Sequence, residues 1–166
     1  IVVAGRNTEK NRAAEEALRD LGAEAASVVV DVTQAASCRA MIEAAVSRFG
    51  RLDILINNAG TNIRKAPEDY ALEEWHTVME TNLTSAFVCC QAAYPEMVKA
   101  GGGKIINIGS MLSIFGTPWA AAYSAGKGGL VQLTKSLATA WAKDDIQVNA
   151  VLPGWIDTGM TRQARQ

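Results

Sequence analysis

The chain has 166 residues, 49% hydrophobic and 20% charged, with 16 basic and 17 acidic side chains and a formal net charge of -1. That length suits one globular domain, and a pI near 5.9 excludes the basic face that a nucleic-acid groove or an anionic membrane surface needs. No apolar run approaches the ~18 residues of a membrane span, and no charged-then-apolar leader opens the chain. Cys38, Cys89 and Cys90 are too few for a disulfide framework, so buried free thiols in a soluble, cytoplasmic protein are expected.

Short apolar runs alternate with longer helical patterns. Ile1–Ala4 is a β-branched run ended by Gly5. Asn7 or Thr8 can cap a helix over 9–21 that stops at Gly22. Residues 26–31, with Val28, Val29 and Val30, form a second strand. Thr33 can cap a helix running to Phe49, with Met41, Ile42, Ala45, Val46 and Phe49 on one face and Gly50 as its stop. Residues 52–56 are a third strand. A long helical pattern covers 72–100, and Gly101–Gly103 break it. Residues 104–108 form the fourth strand, 120–143 another helix and 146–151 the fifth strand. Five apolar strands separated by helices, with no hairpin signal, predict parallel pairing with both sheet faces covered. The right-handed crossover rule then gives an open, doubly wound α/β sheet of Rossmann type.

In such sheets ligands bind beyond the carboxyl ends of the strands. Small and polar residues gather there: Gly5, Arg6 and Asn7; Asp31, Val32 and Thr33; Asn57, Asn58, Ala59 and Gly60; Gly109 and Ser110; and the run from Pro153 to Thr158. Each cluster alone reads as ordinary turn chemistry. Five along one edge favour a binding crevice. Within the long helix, Trp75, Val78, Met79, Leu83, Ala86, Phe87, Cys90, Tyr94 and Met97 form an apolar stripe. Asn82 falls inside it, and a buried amide there either knits backbone or serves a site. Tyr123 and Lys127 are four residues apart, on one helix face. An ammonium beside a phenol favours the phenolate and suits a general acid–base group, although such pairs are also found facing solvent. Ala125, Gly126, Gly128 and Gly129 leave room for close approach by a ligand or another backbone. No metal or nucleophile constellation is visible, and His76 reads as an exposed side chain.

Taken in order and spacing, these residues resemble the short-chain dehydrogenase/reductase family over essentially the whole chain. The matching features are Asn57–Gly60 (NNAG), Asn82 in TNLTSAF, Ser110 thirteen residues before Tyr123, Tyr123-Ser-Ala-Gly-Lys127, and Pro153-Gly154 with Thr158. The resemblance implies NAD(P)-dependent hydride transfer between a secondary alcohol and a ketone. Tyr123 would exchange the hydroxyl proton. Lys127 would support it and bind the nicotinamide ribose, Ser110 would hold the substrate oxygen, and Asn82 would anchor a water behind Lys127. Asp31 and Val32 would flank the adenine, Asn58 and Ala59 the adenosine side, and Ile156 and Thr158 the nicotinamide carboxamide. Arg6, with no acid beside it, suits a 2′-phosphate, so NADP is expected, with NAD the alternative. The stretches NNAGTNIRK, GGGKIINIGSMLSIFG and VNAVLPGWIDT are similar to the gluconate and deoxygluconate dehydrogenase branch. Arg64 and Lys65 could then meet a substrate carboxylate or simply be solvated. Trp119 and Trp155 could wall the pocket or serve a core or an interface.

The family's TGxxxGxG phosphate loop is not found in these residues. A P-loop around Gly126-Lys127 is blocked by Ala121 and Gly128. Comparison with the family places one strand–helix unit, roughly 30 residues, before Ile1, with its strand between those at Ile1–Ala4 and 52–56. The last family strand would follow Gln166. The expectation is therefore a partial dinucleotide-binding and catalytic domain over 1–166, inactive alone and part of a tetrameric enzyme. The alternative is a naturally truncated, non-catalytic binding or assembly module.

Overall fold

The computed structural model describes residues 1–157. Five parallel strands and five helices alternate: β1 (Val2–Gly5), α1 (Thr8–Asp20), β2 (Ala26–Val29), α2 (Ala35–Phe49), β3 (Ile54–Asn57), α3 (Leu72–Met79), α4 (Ser85–Ala100), β4 (Gly103–Ile108), α5 (Ala121–Trp141) and β5 (Ile146–Val151). Asn7 caps α1, its Oδ1 accepting from Lys10 N at 2.8 Å. Gly50 and Gly101 close α2 and α4 at positive φ (78° and 86°), where an L side chain would be strained. Thr33 does not cap α2. Its N–H and hydroxyl both donate to Asp31 Oδ1, and Gln34 occupies the cap position.

The strands form two sheets: β1 pairs with β2, and β3, β4 and β5 pair in that order, all parallel. Val2 lies opposite Ala26, Ile54 opposite Lys104, and Lys104 opposite Gln147. β1 and β3 are not paired with each other, in keeping with the gap expected between them. α1 packs on β1 and β2. One face of the three-stranded sheet, carrying Leu55, Ile105, Ile146 and Val148, packs with Cys38 and Ile42 of α2 and with Val88, Cys89, Cys90, Ala93 and Met97 of α4. Leu137 and Trp141 of α5 close the same core. The expected cover on both sheet faces is not seen here. Among the described residues, the opposite face leaves Ile54, Ile56 and Val151 about half exposed (56%, 56% and 49%). The three cysteines are buried and free, and burial pushes the Cys90 thiol up to about 12. No helix among the described residues is long and apolar enough to cross a membrane.

The predicted 72–100 helix is two helices joined by a π-turn over Glu80–Thr84. Asn82 Nδ2 donates to Val78 O at 2.8 Å, the carbonyl that an uninterrupted α-helix would offer to the Asn82 backbone N–H. Thr77, Thr81 and Ser85 each turn a hydroxyl onto the carbonyl four residues back. Such side-chain competition can bend helices, and these bonds cluster around the π-turn.

Candidate active site

The carboxyl ends of β3 and β4, the π-turn and α5 meet around Gly60. Asn82 is almost fully buried. Its Nδ2 also donates to Thr61 O at 2.8 Å, and its Oδ1 accepts from Thr61 N at 3.2 Å. Its amide thus knits the 61 segment to the π-turn, and these bonds leave one Oδ1 lone pair unused. A Cβ on Gly60 would lie 2.9 Å from Asn82 Oδ1 and 3.4 Å from Lys127 Nζ. Glycine therefore lets these two polar groups close in from either side, a role that NNAG as a string does not reveal.

Lys127 is 3% exposed, and its Nζ donates to Ile108 O at 2.6 Å. The ammonium lies 5.8 Å from the centroid of the Tyr123 ring. Burial pushes its pKa down to about 8, because the charged form loses hydration. The alternative of a solvent-facing Tyr–Lys pair is thus excluded for the lysine. Ser110 follows β4 in extended backbone. Its Oγ accepts from Leu112 N at 3.1 Å, while Ser113 Oγ accepts from Ser110 N at 3.1 Å. The short Met111–Ser113 turn packs on α5, which carries Tyr123 and Lys127. Met111 N also donates to Pro153 O at 2.9 Å, tying this turn to the segment after β5.

The small residues of α5 serve packing by other parts of the chain. Cβ atoms added at Gly126 and Gly129 would meet Asn82 Cβ at 3.3 Å and Leu83 Cδ2 at 2.9 Å. One added at Gly128 would meet Ser113 O at 3.5 Å. Close approach was expected at this helix, and among the described residues it is made by side chains and backbone.

A cleft of about 920 Å³ runs between the free edges of β1 and β3. Arg6, Asp31, Val32, Asn58, Ala59 and Asn82 all line it. Hydrogen bonds from Thr33 hold the Asp31 carboxyl below the usual range, with the Arg6 charge contributing less. Asn11 is buried, and its Nδ2 donates to Gly5 O at 2.8 Å and Val28 O at 3.1 Å, fixing the ends of β1 and β2 that carry Arg6 and Asp31. Sequence reading missed Asn11. Its only signal is an amide facing the sheet from the first turn of α1. The cleft occupies the gap in which the family resemblance expects a further strand, so its volume is that of the gap; what fits a nicotinamide dinucleotide is the chemistry at its rim, where the Arg6 guanidinium and the Asp31 carboxyl stand just past the ends of β1 and β2.

Ile156 is exposed, with its N–H donating to Gly154 O at 3.1 Å, and Thr158 lies outside the described residues. Lys65 is ion-paired with Glu74 at 2.7 Å, and Glu74 in turn accepts from Ala71 N at 3.0 Å. The lysine therefore braces the start of α3. Trp119 and Trp155 are exposed among the described residues. His76 is exposed as expected.

The sequence pattern of the short chain dehydrogenases matches residues 1–166. The chain belongs to the short chain dehydrogenase family. It is 37% identical over 164 residues to the 2-dehydro-3-deoxy-D-gluconate 5-dehydrogenase of Escherichia coli (strain K12), covering 98% of this chain and 65% of that protein. It is 40% identical over 153 residues to a 3-oxoacyl-(acyl-carrier-protein) reductase of Staphylococcus aureus, covering 92% and 62%. The crystal structure of a gluconate 5-dehydrogenase from Burkholderia cenocepacia, in complex with NADP and tartrate, superposes with a TM-score of 0.92 at 39% identity, covering 98% of this chain and 64% of that one. This short chain dehydrogenase chain thus spans under two thirds of the length of the curated relatives it matches, and it shares the Rossmann-type α/β fold of its structural neighbours.

Proposed function

We propose that residues 1–166 form the catalytic part of an NADP-dependent oxidoreductase that interconverts a secondary alcohol and a ketone on a sugar acid. The observation that carries the reading is Lys127, a buried ammonium held by Ile108 O at 2.6 Å and 5.8 Å from the Tyr123 ring. Burying a lysine without a carboxylate partner is costly.

In this reading Tyr123 gives or takes the proton of the reacting hydroxyl, as a positioned general acid–base. Lys127, charged below about pH 8, holds a positive charge 5.8 Å from the Tyr123 ring centroid and binds the nicotinamide ribose. Ser110 hydrogen-bonds the reacting oxygen, and Asn82 offers its remaining Oδ1 lone pair to a water behind Lys127. Arg6 pairs with the 2′-phosphate, Asp31 and Val32 flank the adenine, Asn58 and Ala59 lie along the adenosine side, and Ile156 and Thr158 serve the carboxamide. NADP, when bound, supplies or accepts the hydride, and that chemistry is its own. NAD is the alternative cofactor. A sugar-acid substrate is supported by the relatives named for gluconates and by the tartrate complex. The match to a relative named 3-oxoacyl-(acyl-carrier-protein) reductase supports carbonyl chemistry more than any one substrate. A cytoplasmic homotetramer of family length is part of the same proposal.

The test is a chimera joining these residues to the parts of the B. cenocepacia enzyme outside the match, assayed with gluconate, 2-deoxygluconate and simple ketones. Turnover with NADP, lost by at least about a hundredfold in Tyr123→Phe, is the expected result. The 166 residues alone are expected to be inactive. A strong NAD preference that Arg6→Ala leaves in place overturns the NADP assignment, and a chimera that binds NADP without turnover favours the non-catalytic module.

A further inference from the structure

β4 grips α5 at two points that come from neighbouring residues. The Asn107 side chain donates through Nδ2 to Thr134 Oγ1 at 2.9 Å, and the Ile108 carbonyl accepts from Lys127 Nζ at 2.6 Å. Lys127 and Thr134 are seven residues apart in α5, about two turns and on one face. Asn107 is fully buried, and its Oδ1 accepts from Asn57 Nδ2 of β3 at 2.8 Å. Asn57 Nδ2 also reaches Cys90 Sγ of α4 at 3.3 Å, and the Thr134 hydroxyl donates to Leu130 O at 2.7 Å. One chain of side-chain hydrogen bonds therefore runs from α4 through β3 and β4 into α5.

Apolar packing alone would hold these layers together with little directional preference. A buried amide and hydroxyl that satisfy one another demand one register, because any slip leaves polar groups unpaired in an apolar layer. Asn107 lies three residues before Ser110 on the same strand end, and Thr134 lies on the helix that presents Tyr123. We propose that the Asn107–Thr134 pair is a positioning device that sets the rotation and axial depth of α5, and so places Lys127 and Tyr123 relative to Ser110. The inference rests on the proposed roles of those three residues.

The experiment uses the whole 166-residue chain with ¹³Cε-labelled lysine, assigned with Lys127→Met. In Thr134→Val, which removes the hydroxyl and keeps the shape, the Lys127 titration midpoint is expected to rise from about 8 by roughly half a unit or more, because a shifted helix lets water reach the ammonium. Thr134→Ser, which keeps the hydroxyl, is expected to restore the midpoint. A Thr134→Val chain with a lower melting temperature and an unmoved midpoint overturns the proposal, since the pair would then only stabilise. Should that variant not fold, Thr134→Ala is read with the same two outcomes. In the chimera, Thr134→Val is expected to lower kcat roughly tenfold with KM held, and a fall confined to KM counts against the device. Failure of the catalytic reading looks different: Tyr123→Phe would keep turnover while the lysine titration still responded to Thr134.

Discussion

Asn82 Oδ1 and Lys127 Nζ both approach residue 60 at the place a side chain would fill. In Gly60→Ala, a Cβ 2.9 Å from Asn82 Oδ1 forces the amide aside and breaks its bond from Thr61 N. The expected destabilisation is ~1–3 kcal/mol, read from urea unfolding, and a change within error would refute the contact. Lys127 itself makes folding pH-dependent. The unfolded lysine keeps its proton to 10.5 while the folded one releases it at about 8. Between those values the unfolded chain binds more protons, so this residue's share of stability rises with pH. Below pH 8 the full penalty for burying the charge applies. Wild type is therefore expected to gain on Lys127→Met from pH 7 to 10, by on the order of 3 kcal/mol. The buried thiols titrate in both chains and cancel in the difference. A difference flat across that range would show that the ammonium is hydrated after all.

At the scale of elements, the strands, their parallel order and the fold class were legible because β-branched runs and glycine stops are local signals. The interruption of the long helix was not. Periodicity in apolar residues passes unbroken through 72–100, whereas the π-turn is accompanied by Asn82, Thr77, Thr81 and Ser85 bonding backward to carbonyls, which a hydrophobicity pattern does not register. Beyond that turn, the expected stripe residues Ala86, Cys90 and Met97 are buried and Tyr94 packs against the core, whereas Phe87 is 44% exposed and Val88, Cys89 and Ala93 are buried as well. The residues of the candidate site were legible as motif strings, but their supports, Gly60, Asn11, Asn107 and the Ile108 carbonyl, act through three-dimensional contact and left little trace. Met97, an expected member of the stripe, tests this packing. It is fully buried, and a Cβ on Gly103 would meet its Cγ at 2.6 Å, so α4 rests directly on the start of β4. Met97→Ala is expected to cost ~2–5 kcal/mol through the cavity it leaves, whereas the exposed Val98→Ala stays within ~0.5 kcal/mol. Equal losses at the two positions in thermal unfolding would contradict the packing.

At the scale of the whole molecule, the two sheets leave unpaired backbone along β1 and β3 and an apolar sheet face beside them. Ile54 and Ile56 are each 56% exposed, while Leu55 between them is 7% exposed, the alternation expected of a strand covered on one side. Free strand edges template pairing with further chains unless a charge, a proline or a bulge blunts them. β3 (Ile54–Asn57) has none of these within it. The 166-residue chain is accordingly expected to self-associate as its concentration rises, which sedimentation velocity would register as a growing weight-average mass. Ile56→Lys places an ammonium on the open face and next to the edge. It is expected to suppress the association while leaving the far-ultraviolet circular dichroism and the melting temperature close to those of wild type, because the side chain lies outside the core. Leu55→Lys puts the same charge one residue away, onto the face packed by α2 and α4, and is expected to unfold the chain. A wild-type chain that stays monomeric, or an Ile56→Lys chain that associates as readily, would mean that the β3 edge and the Ile54–Ile56 face are not what drives contact between copies.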